Sequence, residues 1–225
     1  MVGLSPLAEK ESQLDMAVIL HPTYFPSIWT GAVVAQCDDI IWEQHDNYQK
    51  QTYRNRTRIL SAHGTLDLTI PVQYTQKQRQ RYSDVQISDD HSWMLQHWKS
   101  ISIAYSNSPF FEFYRDEMEI LFSSTHTNLF EYNMTCIKTL FGLIELPFSN
   151  RFTTTFEKTF KGEDFRHLTS TKINLPEIPR YIQVFDNSIG FTPHLSLLDL
   201  LFNQGPSTKS YLLKLPLDRL IITSM

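Results

Sequence analysis

Short apolar runs broken by prolines open this chain, and longer stripes at helical spacing fill its middle. Val18, Ile19 and Leu20 form a run that reads as a buried strand. Pro22 and Pro26 then forbid regular structure, since each fixes φ and removes a backbone donor. The stretch Trp29–Cys37 reads as helix, and Ile40 to Glu43 as a second strand. Strand, loop, helix, strand is the start of an α/β unit, so the two strands are expected as parallel neighbours. "RNRTRILSAHGTLDLTIPV" holds two extended runs about His63-Gly64 and predicts a hairpin.

From Asp89 the spacing becomes helical. Asp89 or Asp90 caps a helix in which Trp93, His97, Ile101 and Tyr105, with Trp98 and Ala104 beside them, form an apolar stripe. Pro109 ends it. A second helix is predicted over Phe110 to Phe122, and a third from Asn128 to Phe141 with Gly142 as its terminal glycine. "FTTTFEKTF" (152–160) alternates as a strand should, and "RYIQVF" (180–185) is a further strand candidate. "SLLDLLFNQG" reads as a helix capped by Ser196 and stopped by Gly205. The polar run 73–84 has no apolar periodicity and is expected as a mobile surface loop. With no repeat and no Gly/Ser linker, these patterns predict one α/β domain over 16–225. It has a small, partly parallel sheet and a helical middle section, and follows a flexible leader, 1–15.

Composition narrows the function classes. The 225 residues are enough to bury a core without staples. Twenty basic against 24 acidic side chains give a net charge of −4, which offers no global electrostatic case for nucleic acid or an anionic membrane. No stretch approaches the roughly 20 apolar residues of a membrane span. Glu9, Lys10, Glu11 and Asp15 interrupt any signal-peptide core, so a cytoplasmic location is expected. Cys37 and Cys136 read as reduced, buried thiols. His91 and His97 are six residues apart and do not share a helical face as an HxxxH pair would. Neither a metal nor a cofactor is expected.

Two segments carry candidate chemistry. "HPTYFP" follows the first strand, where ligands of open α/β sheets bind and where the next helix offers its N-terminus to an anion. His21 is the candidate general base and Tyr24 a stacking face; the alternative is a rigid, aromatic-plugged loop. "EQHDNYQKQTYRNR" follows the second strand and would lie beside it. Lys50, Arg54 and Arg56 would hold phosphate or carboxylate, with Tyr53 stacking and Asn55 adding an amide; the alternative is a solvated charge cluster. If Arg54 and Arg56 share one strand face, both aim the same way. As exposed charges, their removal should leave stability nearly unchanged.

The ordered set "HPTYFP", "NYQKQTYRNRTRI", "LTIPV", "W…QHW", "YSNSPFFEFY" and "GFTPHLSLLDLLFNQGP" resembles the WbqC-like proteins from Met16 to about Pro206. The chain departs from that pattern at His21, where many members carry Gln, and at "SIWTG" after the second proline. The resemblance implies a bacterial protein of cell-surface polysaccharide assembly. It would transfer a nucleotide-linked sugar or an activated acyl or aminoacyl group, on a small anionic substrate. A non-catalytic binding or scaffold protein of the same pathway, and a nucleotidyltransferase-like enzyme, stay open beside it. Ser196 and Asp199 match the last piece, and a helix cap with a buried polar contact accounts for them as readily as a site does.

Overall fold

The computed structural model describes residues 16–73, 79–90 and 92–220. The leader, residues 74–78 of the polar run and His91 lie outside them. β1 (Val18–Leu20) leads through the HPTYFP loop into α1 (Ile28–Gln36) and on to β2 (Ile40–Trp42). The strands pair in parallel, Val18 opposite Ile40 and Leu20 opposite Trp42. Every residue of β1 is buried, as a parallel strand covered on both faces requires. β3 (Arg56–Ser61) and β4 (Gly64–Thr69) form the expected hairpin, with Gly64 at φ 107°. β5 (Val72–Gln73) pairs antiparallel with β6 (Gln86–Ile87).

The helical middle is α2 (Ser92–Tyr105), α3 (Phe111–Ser123) and α4 (Leu129–Ile144). Asp90 Oδ1 accepts from Ser92 N–H at 3.0 Å, and the predicted stripe from Trp93 to Tyr105 is buried. Gly142 does not end α4. Burial of Leu140, Phe141 and Ile144 carries the helix past it, outweighing a glycine penalty of about 1 kcal/mol, and Glu145 closes the helix at φ 60°.

β7 (Glu163–Asp164) completes the sheet on the other side of β1, giving the order β2–β1–β7, all parallel. Gly162 makes this possible: a Cβ there would lie 1.9 Å from the Ala17 carbonyl oxygen. The two later strand candidates do not form. Residues 152–160 make one bridge, Phe152 to Trp42, and then run irregularly with Phe156 exposed. Residues 180–185 have no strand partner among the described residues; instead Tyr181 Oη and Gln183 Nε2 donate to the buried Asp199 carboxylate at 2.6 and 2.9 Å.

α5 (Asp186–Ile189), α6 (Leu197–Gln204) and α7 (Thr208–Leu212) follow, with Gly205 stopping α6 at φ 50°. The starts of α1 and α6 clasp each other. Ile28 N–H donates to Leu195 O at 3.2 Å and Leu197 N–H to Pro26 O at 2.8 Å. Gly31 lets the helices approach, since a Cβ there would lie 2.7 Å from the Leu197 methyls. Two residues before the serine at the start of each helix the backbone turns left-handed, at Phe25 (φ 44°) and His194 (φ 62°); Ser27 caps α1 with its side chain, whereas Ser196 makes no side-chain cap on α6. Cys37 and Cys136 are buried free thiols. Among the described residues no helix is long and apolar enough to cross a membrane.

Candidate functional site

The carboxyl ends of all three parallel strands feed one cavity of about 530 Å³. His21 follows β1 directly, Glu43 and Asp46 follow β2, and Arg166 and His167 follow β7. This is where sheets of parallel strands gather ligands, because successive loops converge there. Arg54 enters from the turn before β3, and Thr52, Thr169, Ser170 and Lys172 add polar wall.

Glu43 sets the local geometry. Fully buried, its Oε1 accepts from His45 N–H (2.6 Å), Asp46 N–H (3.1 Å) and Thr153 Oγ1 (3.1 Å), which fixes the turn that carries Asp46. Arg54 Nη2 donates to Asp46 Oδ2 at 2.7 Å and to His21 Nε2 at 2.8 Å. A guanidinium has no acceptor, so His21 Nε2 is the unprotonated nitrogen. Its 3.0 Å approach to Asp46 Oδ2 is then a contact of two acceptors around one shared donor. Burial, and after it Arg54, press the His21 pKa down to about 4, so the ring is neutral near pH 7. Burial pushes the Asp46 carboxyl up, but the Arg54 guanidinium and the Asn47 N–H, which donates to its Oδ1 at 2.7 Å, favour the carboxylate, and the group sits below its usual range. Tyr82 lies under the Arg54 guanidinium at 5.5 Å and donates its hydroxyl to Pro22 O at 2.7 Å, tying the proline loop to the arginine.

Arg166 is held by Asp164, with Nε 3.0 Å from Oδ1, and by Glu157 O at 2.8 Å; its Nη1 lies 3.6 Å from Glu43 Oε2. His167 differs from His21. Its Nδ1 is 3.1 Å from the Asp164 carbonyl, which can only accept, so Nδ1 bears the proton and Nε2 the lone pair. That Nε2 is buried with no hydrogen-bond partner among the described residues, as are Arg54 Nε and Nη1. Burial lowers the His167 pKa, which keeps the lone pair free. The wall thus combines a fixed cation with unmet donors and a neutral imidazole with an unmet acceptor.

Of the residues singled out in the sequence, the structure brings His21 and Arg54 together at this cavity. The others lie elsewhere. Tyr24 is sealed in the core, hydrogen-bonded with His97 Nδ1 at 3.0 Å and packed against Trp93 and Tyr132, so it offers no stacking face. Asn55 is buried and donates to Ile70 O at 2.9 Å. Arg54 and Arg56 do not share a face: Arg54 precedes the strand, while Arg56 opens β3 and turns to Asp67 at 3.5 Å. Lys50 is exposed and forms no part of the cavity wall, and Tyr53 lines a separate small recess. Nor does the start of α1 face the cavity; Ser27 lines that same recess. Arg54 is also no exposed charge, being 2% accessible. Arg166 and His167 escaped sequence reasoning because β7 is two charged residues long and leaves no apolar run to mark a strand end.

The model of the WbqC-like protein family matches residues 21–171. The chain belongs to that family. The WbqC-like match begins at His21 and ends one residue beyond Ser170, so it takes in every residue of the cavity wall except Lys172 and Ile173. An uncharacterised protein of Mycobacterium tuberculosis, Rv1507c, is 27% identical to this WbqC-like chain over 231 residues, covering 88% of the chain and 98% of the relative. No solved structure matches.

Proposed function

We propose that this WbqC-like protein is a cytoplasmic group-transfer enzyme of cell-surface polysaccharide assembly. It takes a phosphate- or carboxylate-bearing donor in the cavity at the strand ends. One observation carries the reading: a buried Arg54 in the cavity wall, charge-paired with Asp46 yet with Nε and Nη1 unmet among the described residues, and in the same wall a neutral His167 whose Nε2 is also unmet. Buried donors without partners cost stability unless something uses them, and an oxyanion does. The family resemblance supplies the pathway and the donor classes, a nucleotide-linked sugar or an activated acyl group.

In this scheme Arg54 and Lys172 hold the donor's anion. His167 Nε2 takes the proton of the attacking amine or hydroxyl as the new bond forms. The bond to the leaving group breaks, and that group departs with the electron pair, its charge held by the same cations. His21 and Asp46 are positioning residues that hold the Arg54 guanidinium. The test is calorimetric binding of nucleotide sugars and acyl thioesters, followed by turnover with an amine or hydroxyl acceptor. His167→Gln should keep donor affinity within a few-fold and lower kcat by about 10²–10⁴. Lys172→Ala should weaken donor binding. Donor binding without turnover would make the protein a binding module, and no binding of either donor class would end the proposal.

A further inference from the structure

Ser27 and Ser196 occupy the same backbone geometry at the starts of α1 and α6, φ −67° ψ 160° and φ −68° ψ 162°. Ser27 uses its hydroxyl as a cap, accepting from Thr30 N–H at 3.2 Å. Ser196 does not: its Oγ makes no cap and has no hydrogen-bond partner among the described residues, although the residue is 3% exposed. A hydroxyl in capping position that caps nothing is an unmet buried group. It lines a recess of about 10 Å³, space for roughly one water-sized group. His194, whose buried Nδ1 is likewise unpartnered, lines the same recess with Ser27, Tyr53 and Arg58.

The electrostatics favour a negative guest. The clasp aims two helix starts at one place, and each carries a partial positive charge. At the edge of the hairpin Arg58 donates to Asp67 through Nε at 2.7 Å and Nη2 at 3.0 Å, while Arg56 approaches the same carboxylate at 3.5 Å. Two guanidinium groups share one carboxylate, which leaves a surplus of positive charge. Glu177, which acts on His194, partly offsets that surplus.

We propose that the clasp between α1 and α6 is a second anion site, separate from the strand-end cavity, where one oxygen of a carboxylate or phosphate group docks on Ser196 between Arg58 and His194. Consecutive residues divide between the two sites: Thr52 and Arg54 line the cavity, Tyr53 the recess. The guest is the anionic end of a small molecule, because the recess admits a single atom and its mouth is partly exposed.

The test is a titration of the full-length, ¹⁵N-labelled chain with inorganic phosphate and, separately, acetate at constant ionic strength. The backbone amides of Ser27 and Ser196 should shift and saturate with phosphate, with acetate, or with both, and which of them saturates names the anion. Ser196→Ala should weaken that response about tenfold or more, the worth of one hydrogen bond to a charged group, and Arg58→Gln should weaken it several-fold. Lys172→Ala, in the other site, should leave it unchanged. Without ligand, Ser196→Ala should melt no lower than wild type, since it deletes an unmet group. The proposal is overturned if the amide shifts grow linearly without saturating, or if Ser196→Ala leaves them unaltered. It is overturned too if Ser196→Ala unfolds or destabilises the unliganded chain, which would make the hydroxyl structural.

Discussion

A guanidinium with 2% of its side chain exposed persists only if its charge is met, and for Arg54 Asp46 meets it at 2.7 Å. Truncation would strand that carboxylate beside a neutral His21. Arg54→Ala should therefore cost about 3 kcal/mol, read as a lower denaturation midpoint at unchanged slope, with Arg54→Lys recovering part of it. The neighbouring histidine adds a pH dependence of definite sign. The folded pKa of His21 lies near 4, below its unfolded value near 6.5, so the unfolded chain takes up the proton first. Stability from this group is fully present above pH 6.5 and drains away as pH falls from 6.5 through 4, a loss on the order of 2–3 kcal/mol. Burial depresses the buried His97 to about 4 as well, so the two losses overlap. Equilibrium unfolding of wild type and His97→Asn across pH 7 to 4 checks this; the variant should show the shallower fall. A stability flat over that window would mean that neither imidazole is buried neutral. The chemistry of Arg54 was legible in a sequence where basic residues interleave with tyrosines and amides. Its burial was not, because that depends on Asn133, whose Nδ2 donates to Arg54 O at 2.5 Å, and on Tyr82, both far away in sequence.

Elements were legible where apolar side chains alone define them. β1, β2 and the α2 stripe announce themselves because burial needs apolar residues at fixed spacing. Trp93→Ala should behave as a core truncation and cost about 3–5 kcal/mol. β7 is of another kind: its residues are Glu163 and Asp164, and backbone contact holds it, Glu163 N–H donating to Ala17 O at 3.0 Å and Phe165 N–H to Ile19 O at 3.0 Å. Gly162→Ala should therefore uncouple the strand although no side chain is lost. Because Arg166 and His167 hang from β7, the expected signature is faster amide exchange at Glu163 and Phe165 together with weaker donor binding. Normal exchange with normal binding would show that the Ala17 carbonyl yields easily. Alternation misled at 152–160 for the complementary reason: a period of two shows which residues face one way, but not whether a partner strand exists.

At the scale of the molecule, the strand-end cavity couples three distant loops, so filling it should stiffen all three at once. A donor at ~100 times its dissociation constant should raise unfolding free energy by about 2.7 kcal/mol, visible as a higher melting temperature that depends on ligand concentration. The clasp of α1 with α6 has a consequence of a different sort, for the order in which the protein can be made. The carbonyl of Leu195 that receives Ile28 N–H lies roughly 170 residues further along the chain, and β1 likewise waits for β7. Translation at about 5–20 residues per second leaves the first helix without its counterpart for roughly ten to thirty seconds. Through that interval the apolar opening of the nascent chain stays exposed to chaperones and to other ribosome-bound copies, and it becomes protected only when the segment around Ser196 clears the exit tunnel.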